Sequence, residues 1–159
     1  MKFFMKSIKS ILVAVVKELN KQNIGYYATG GTALYLRGII DDTQDVDLFV
    51  NFKDLKKLRE IYSKFIIPSE HKVKNYLNLR IEGREIEFIG VNSTWDKQSY
   101  VQLKNRDYDI IKLNKTHVNI STLKNLITCY EFAYNQFGKE KHLMRIELIK
   151  NYLYKHKKA

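Results

Sequence analysis

Two short runs of alternating apolar residues, separated by only two residues, constrain the fold of this chain most strongly. The runs cover residues 76–81 and 84–91, and Glu82-Gly83 lies between them. A two-residue connection joins antiparallel strands, because parallel strands need a crossover of about a dozen residues or more. The sequence therefore predicts a β-hairpin in the middle of the chain.

Helical and extended patterns alternate in the rest of the chain. Apolar residues spaced three and four apart indicate helices, and short apolar runs bounded by turn residues indicate strands. The predicted elements are, in order, a helix over 8–19, a strand over 26–28, a helix over 32–37, a strand over 45–50, a helix over 55–65 that Pro68 ends, the hairpin, a weaker hairpin over 110–113 and 118–120, and two helices, the first capped by Ser121. This order predicts an α+β fold with a mixed β-sheet, flanking helices and a C-terminal helical segment.

The length and composition predict a single domain. The chain has 159 residues, one proline and no stretch rich in glycine or serine that would mark a linker. We expect one unit over 1–159, with a core over about 1–120 and C-terminal helices over about 121–159. The hydrophobic content of 45% excludes an intrinsically disordered chain.

The net charge and the cysteine content limit which binding partners and which cellular compartment are expected. The chain has 28 Lys and Arg residues against 17 Asp and Glu residues, a formal net charge of +11. This excess favours anionic partners such as nucleotides, RNA or acidic proteins, and it disfavours a polycationic substrate. The single cysteine, Cys129, excludes an intramolecular disulfide and favours a reducing compartment, so we expect a cytoplasmic protein. No uncharged run reaches the roughly 18 residues of a membrane span, and we expect no membrane partner.

The candidate site begins with Gly30-Gly31, which lies between a predicted strand and the helix after it. Paired glycines at such a turn let the backbone approach a ligand closely, and the first N–H groups of the helix then face that ligand. In the next predicted strand Asp45 and Asp47 alternate with apolar residues, so both carboxylates project from one face. Adjacent carboxylates repel each other unless a cation lies between them, and their oxygens suit Mg²⁺ or Mn²⁺.

The second strand of the hairpin offers a third carboxylate. Glu85 and Glu87 share one face of that strand, and we favour Glu87. It lies between two apolar residues, where burying an acidic residue needs a functional reason, whereas Glu85 is nearer the turn and can be solvated.

The glycine pair, the Asp-apolar-Asp strand and the later acidic strand together resemble the nucleotidyltransferase superfamily to which DNA polymerase beta belongs. The match rests on Gly30-Gly31, Asp45-Val46-Asp47 and Glu87. With Thr43 shortly before the first aspartate, the chain looks most like the small bacterial branch of type IV toxin–antitoxin and abortive-infection (AbiEii-like) transferases. Residues 118–127 are similar to the segment with which such proteins enter their C-terminal helices, so the resemblance covers nearly the whole chain.

The resemblance implies a polymerase beta-like fold and transfer of a nucleoside monophosphate from a nucleoside triphosphate to a hydroxyl, with release of pyrophosphate. The implied catalytic and metal-binding residues are Asp45, Asp47 and Glu87, with Mg²⁺ or Mn²⁺ as cofactor, and the implied nucleotide-binding residues are Gly30, Gly31, Thr32, Arg37 and Thr43. For Arg37 and Thr43 a purely structural role is equally open: a cation at a helix end, and a residue that shapes the turn before the strand.

Two positions depart from the resemblance. Relatives often have an arginine four residues before the first aspartate, where this chain has Asp41, and a Lys-Asp pair near the last helix, where it has Lys141-His142. Unless Arg37 compensates for Asp41, the resemblance implies weakened nucleotide binding.

Three functions are compatible with these residues. The first is transfer to a macromolecule, either a tRNA or other RNA end or a partner protein in a toxin–antitoxin pair. The second is transfer to a small molecule such as an antibiotic, and the third is a binding protein that keeps the fold without turnover. Basic residues cluster within 53–59, 139–150 and 155–158. An RNA acceptor is favoured if such a cluster lines a groove beside Asp45 and Asp47.

Overall fold

One mixed sheet of six strands organises the structure, a computed structural model that describes residues 6–68, 75–91 and 108–157. In chain order the elements are α1 Ile8–Lys21, β1 Tyr26–Ala28, α2 Gly30–Leu36, β2 Val46–Asn51, α3 Leu55–Ile61, β3 Tyr76–Ile81, β4 Arg84–Val91, β5 Asp109–Leu113, β6 Thr116–Ile120, α4 Leu123–Phe137 and α5 Glu140–Lys157. Short 3₁₀ turns, Phe52–Asp54 and Ser63–Phe65, flank α3. In the described part of the chain, no helix combines the length and the apolar character that crossing a membrane requires.

The strand order across the sheet is β3-β4-β2-β1-β6-β5. β2 is antiparallel to β1 and parallel to β4, and β1 is parallel to β6. Both hairpins, β3-β4 and β5-β6, are antiparallel, so the predicted mixed sheet is confirmed. The parallel pairing of β2 with β4 is what brings the Asp45–Asp47 segment beside the acidic strand of the hairpin.

α1 covers the sheet with the apolar face that the sequence predicts. The helix begins after Ser7, whose hydroxyl accepts a hydrogen bond from the backbone N–H of Ser10 at 3.1 Å. Its buried residues are Ile8, Ile11, Leu12, Val15, Val16 and Leu19, and they belong to one cluster with the inward side chains of the strands. Burial of each such large side chain stabilises the fold by about 1.5–3 kcal/mol.

A second apolar cluster joins the C-terminal helices to α2. Its buried members are Ala33 and Leu34 of α2, Leu126 and Tyr130 of α4, and Ile146 and Ile149 of α5. The helices at the end of the chain are therefore packed directly on the helix that follows the glycine pair.

Several predicted elements begin or end at other residues in the structure; β2, for example, begins at Val46, so Asp45 lies just before the strand. Two of these differences have a clear physical reason. The predicted helix over 55–65 ends at Ile61, because Tyr62 leaves helical geometry (φ −105°, ψ 25°) and packs its ring 6.0 Å from that of Phe88 in β4. Ser121 does not cap α4, because its N–H still pairs with the Ala28 carbonyl at 2.9 Å, alongside β1. The capping hydroxyl belongs to the next residue, Thr122.

We expect the chain to unfold as one unit, because α5 contributes to the cluster around α2. Ile149 is fully buried, and Ile149→Ala should cost about 2–5 kcal/mol of stability. Urea unfolding followed by far-UV circular dichroism and by tyrosine fluorescence should give one coincident transition for both proteins. Two separate transitions, of which the substitution shifts only one, would contradict this prediction.

Candidate active site

The glycine pair brings the backbone close to two side chains of the site. Gly30 has a left-handed φ of +56°, and a Cβ atom there would lie 3.0 Å from Oδ2 of Asp47. A Cβ atom on Gly31 would lie 2.9 Å from Oγ1 of Thr43. Both positions therefore need glycine: Gly30 for its backbone conformation and Gly31 because Thr43 fills the space of a side chain.

Thr32 holds the start of β2 against α2. Its buried hydroxyl donates to the carbonyl of Asp45 at 3.1 Å and accepts from the N–H of Asp47 at 2.9 Å. A hydroxyl has one proton to donate, so Thr32 cannot make this bond and also donate to a phosphate. The hydroxyl of Thr32 therefore makes a structural contact that fixes the backbone around both aspartates, and the predicted role of this residue in phosphate binding stays a prediction.

Polar side chains form two rows across β3, β4 and β2. In the inner row, Glu87 is level with Asp47 on one side and with Asn78 on the other, and Asn78 Nδ2 donates to Glu87 Oε2 at 3.3 Å. The outer row is formed by Arg80, Glu85 and Asp45, one step of the strand pleat further along. Glu85 pairs with Arg80 at 2.8 Å, whereas Glu87 lies level with Asp47 in the parallel strand pair, which favours Glu87 as the carboxylate that would share a metal ion with Asp47.

The carboxylates destabilise one another in the absence of a cation. Burial, followed by the charges of Glu87 and Asp45, raises the pKa of Asp47 to about 7, although Arg145 and Lys141 act in the opposite direction. Burial and the charge of Glu85 also raise the pKa of Asp45, and Arg84 opposes this shift. A divalent cation between these groups would remove the repulsion.

The opposite wall of the site is cationic and comes from α5 and the residues before it. Lys139, Lys141, His142 and Arg145 line the same cavity as the two aspartates. Arg145 Nη1 donates to the hydroxyl of Tyr130 at 3.1 Å, and Arg145 Nη2 lies 3.5 Å from where a Cβ atom of Gly31 would be. Among the described residues, no carboxylate forms a salt bridge with Arg145, so its charge is available to a ligand.

The acidic and the cationic side chains line one cavity of about 1190 Å³. This volume slightly exceeds the range of about 300–1,000 Å³ that is common for small-molecule sites. Half-buried Cys129 also lines it, and burial raises the pKa of this thiol to about 12. Burial, with Lys141, Arg145 and Lys139, lowers the pKa of His142, so its imidazole is neutral near pH 7.

The structure brings together six of the eight residues that the sequence analysis singled out. The residues that line the cavity are Gly30, Gly31, Thr43, Asp45, Asp47 and Glu87. Thr32 lies behind the glycine pair, and Arg37 is directed elsewhere: its Nη2 donates to the Ser121 carbonyl at 2.6 Å and pairs with Asp109. Arg37 therefore fixes the end of β6 to α2 and does not line the cavity, and its predicted role in nucleotide binding stays a prediction.

Sequence reasoning missed Asn78, Tyr130 and Arg145 as members of the site. The sequence does contain an indication for Asn78. It is a polar residue on the same face of β3 as Arg80, and β3 pairs with the strand that carries Glu85 and Glu87. Arg145 was visible only as one member of a basic cluster.

The donor atoms fit Mg²⁺ or Mn²⁺ bound together with a substrate. Within the described ranges, no three His, Cys, Asp or Glu side chains form a ready-made metal cage. Mg²⁺ normally keeps several waters and is held by one or two carboxylates plus substrate phosphates. Carboxylate oxygens on the inner row and cationic groups opposite them match that mode of binding.

Comparison with solved structures identifies the fold. An antigenic nucleotidyltransferase-like protein from Paracoccidioides brasiliensis superposes with a TM-score of 0.62 at 19% identity, over 89% of this chain and 72% of that one. The chain has the nucleotidyltransferase fold. ANT(2″)-Ia in complex with adenylyl-2″-tobramycin is similar with a TM-score of 0.64 at 12% identity, over 91% and 88% of the two chains. The lincosamide antibiotic adenylyltransferase LnuA with bound lincomycin is similar with a TM-score of 0.58 at 10% identity, over 92% of this chain and 97% of that one.

These likenesses confirm the polymerase beta-like fold that the sequence predicted. No protein-family model and no curated protein matches the sequence. The nucleotidyltransferase fold is thus established from structure, and the proximity to the toxin–antitoxin branch stays a prediction.

Asp47→Asn should stabilise the metal-free protein, with an effect that grows with pH. The carboxyl of the unfolded chain ionises near pH 3.8 and that of the folded chain near 7. Stability therefore falls as pH rises between these values, and the penalty is complete above pH 7. We expect the variant to gain about 1–3 kcal/mol at pH 8 and less at pH 5.

Urea unfolding in EDTA at both pH values measures this difference. No described residue donates a hydrogen bond to the Asp47 carboxylate, so the substitution removes the repulsion and no structural bond. A variant less stable than the natural protein at pH 8 would show that the carboxylate has a structural role.

Proposed function

We propose that the protein is a metal-dependent nucleotidyltransferase that transfers a nucleoside monophosphate from a nucleoside triphosphate to a hydroxyl of a macromolecule. The observation that supports this proposal is the meeting of three features at one cavity: the carboxylates of β2 and β4, the glycine pair, and the cationic wall of α5. A metal-bound triphosphate needs all three, because it presents a divalent cation and several phosphate charges at once.

Different residues of the cavity would bind the metal ion and the phosphates of this substrate. Asp45, Asp47 and Glu87 would hold Mg²⁺ or Mn²⁺, which when bound neutralises charge on the transferred phosphoryl group and on the leaving pyrophosphate. Arg145 lies over Gly31 and would bind phosphate oxygens there, in the role that the sequence assigned to Arg37. Its bond to Tyr130 orients the guanidinium before the substrate arrives, which reduces the entropy lost on binding.

Charge supports a macromolecular acceptor. Lys139 and Lys141 line the cavity and are exposed, so part of one basic cluster lies at the same cavity as Asp45 and Asp47, which favours an RNA acceptor. The acceptor hydroxyl is then that of a tRNA or other RNA end, or of a partner protein in a toxin–antitoxin pair. The whole chain would act as one catalytic unit in the cytoplasm, where a reduced Cys129 is expected.

A small-molecule acceptor is the second candidate. The structural neighbours ANT(2″)-Ia and LnuA hold an adenylylated antibiotic and an antibiotic, respectively. The acidic outer row could receive a cationic compound, although the net charge of +11 opposes its approach.

Labelled nucleoside triphosphates test the reaction and identify the acceptor. The protein is incubated with each nucleotide, Mg²⁺ or Mn²⁺ and a cell extract, which is then separated into RNA, protein and small-molecule fractions. We expect label in the RNA or protein fraction and a loss of at least about 100-fold in Asp45→Asn/Asp47→Asn. Asp54→Asn/Glu60→Gln removes the same charge outside the cavity and should keep the activity.

Label in the small-molecule fraction would support the second candidate. If no fraction is labelled and calorimetry detects no nucleotide binding, the protein is a non-catalytic member of the fold, as the substitutions at Asp41 and His142 would then explain.

Arg145→Gln tests the phosphate contact. Loss of a charge-assisted contact costs about 1.5–3 kcal/mol, so the dissociation constant for the nucleoside triphosphate should rise roughly 10-fold or more, as measured by calorimetry. Lys150→Gln removes the same charge from the outer side of the same helix and should change the constant less than threefold. Equal effects of both substitutions would mean that only the overall charge matters.

A further inference from the structure

A buried amide lies on the inner row beside the carboxylates. Asn78 is 9% exposed, lines the cavity, and occupies the β3 position level with Glu87. On the other side of Glu87 is Asp47. Three oxygen-bearing side chains from three neighbouring strands therefore follow one another across the sheet.

The orientation of this amide is fixed by chemistry. Asn78 Nδ2 donates to Glu87 Oε2 at 3.3 Å. The opposite orientation would place two acceptor oxygens against each other, so the NH₂ group must face the carboxylate. Oδ1 is then directed away from Glu87, and it is buried without a hydrogen-bond partner among the described residues.

An unpartnered buried carbonyl oxygen at the wall of a cavity calls for a ligand, because buried polar groups are otherwise nearly always satisfied. The adjacent groups indicate which ligand. The Asp47 and Glu87 carboxylates make this part of the cavity negative, so a cation with its water shell is favoured over an anion.

We propose that Asn78 belongs to the divalent-cation site, with Oδ1 as an oxygen donor to the ion and its waters and Nδ2 as the group that orients Glu87. This inference rests on the proposed function and extends its metal site by one residue. A neutral amide is suited to the position, because a third carboxylate in the inner row would add to the repulsion that already raises the energy of the metal-free site.

Arg80 cannot serve the same purpose. It shares the cavity face of β3 with Asn78, but it pairs with Glu85 and has no acceptor atom. Asn78 is thus the residue of β3 that lies level with Glu87 and carries a side-chain carbonyl oxygen.

Mn²⁺ titration calorimetry tests the inference without relying on turnover. The whole chain is titrated with Mn²⁺ in the presence of a non-hydrolysable nucleoside triphosphate, for the natural protein, Asn78→Ala and Asn78→Asp. Removing a supporting group at a metal site typically costs 10–100-fold in affinity. We expect Asn78→Ala to weaken Mn²⁺ binding about 10-fold or more, and Asn78→Asp, which keeps an oxygen, to bind within threefold of the natural protein or tighter.

Asn119→Ala provides the matched control. Asn119 is a half-buried strand amide in β6 that bonds Tyr26 and does not line the cavity, so its loss should leave the Mn²⁺ affinity unchanged. Thermal melts verify that each variant is folded. If Asn78→Ala does not fold, the Mn²⁺ affinity of Asn78→Asp compared with that of the natural protein still tests the inference.

The outcomes separate this inference from the proposed function. Unchanged affinity in Asn78→Ala would overturn the inference, and so would an Asn78→Asp variant that binds as weakly as Asn78→Ala, since Nδ2 alone would then matter. In both cases a natural protein that binds Mn²⁺ and labels an acceptor keeps its proposed function. A natural protein that binds no Mn²⁺ would overturn the metal site as a whole.

Discussion

The hydroxyl of Thr32 is the contact on which the geometry of the site depends. It bonds the carbonyl of Asp45 and the N–H of Asp47, and so it ties the first turn of α2 to the start of β2. Gly30, which has a left-handed φ, then lies so close to Asp47 that a Cβ atom on it would be 3.0 Å from the carboxylate. The pairing of β1 with β2 and the bond from the Thr29 N–H to the Asp47 carbonyl at 3.0 Å hold the same two segments together, and the Thr32 hydroxyl adds the side-chain contact that fixes the backbone between the two aspartates.

Sheet topology adds the rest of the acidic wall. Because β2 pairs in parallel with β4, Asp47 has Glu87 beside it at the same level, and β3 adds Asn78 and Arg80. Asp45, just before β2, is near enough to Glu85 for the charge of Glu85 to raise its pKa. In the outer row Glu85 pairs with Arg80, whereas the inner row places Asp47 beside Glu87. Burial and the charge of Glu87 raise the pKa of Asp47 to about 7, so the inner row is where a cation would remove the most repulsion.

Local patterns were sufficient for the fold and for the acidic residues. The hairpin over 76–91, the face of α1 and the Asp45–Asp47 alternation all follow from spacing in the sequence, since side-chain direction in a strand or helix is a local property. The remaining contacts depend on tertiary distances. The sequence predicts Thr32 and Arg37 as ligand-binding residues, and it could not reveal their structural contacts. Thr32 bonds the backbone of Asp45 and Asp47, and Arg37 bonds the Ser121 carbonyl and the Asp109 carboxylate, which come near only when the strands pair. The place of Asn78 in the site likewise depends on a tertiary contact, the bond from its amide to Glu87 on the next strand.

The C-terminal helices supply the positive charge that the segment around the glycine pair lacks at the cavity. With Asp41 in place of a cation and Arg37 bonded to Ser121 and Asp109, the segment around the glycine pair has no positive side chain of its own at the cavity. Arg145 of α5 approaches Gly31 from across the cavity, and the cluster of Ala33, Leu34, Ile146 and Ile149 fixes α5 on α2. The position of Arg145 at the cavity and the packing of the last helix are therefore linked: a change that loosens α5 would also move the Arg145 guanidinium away from Gly31.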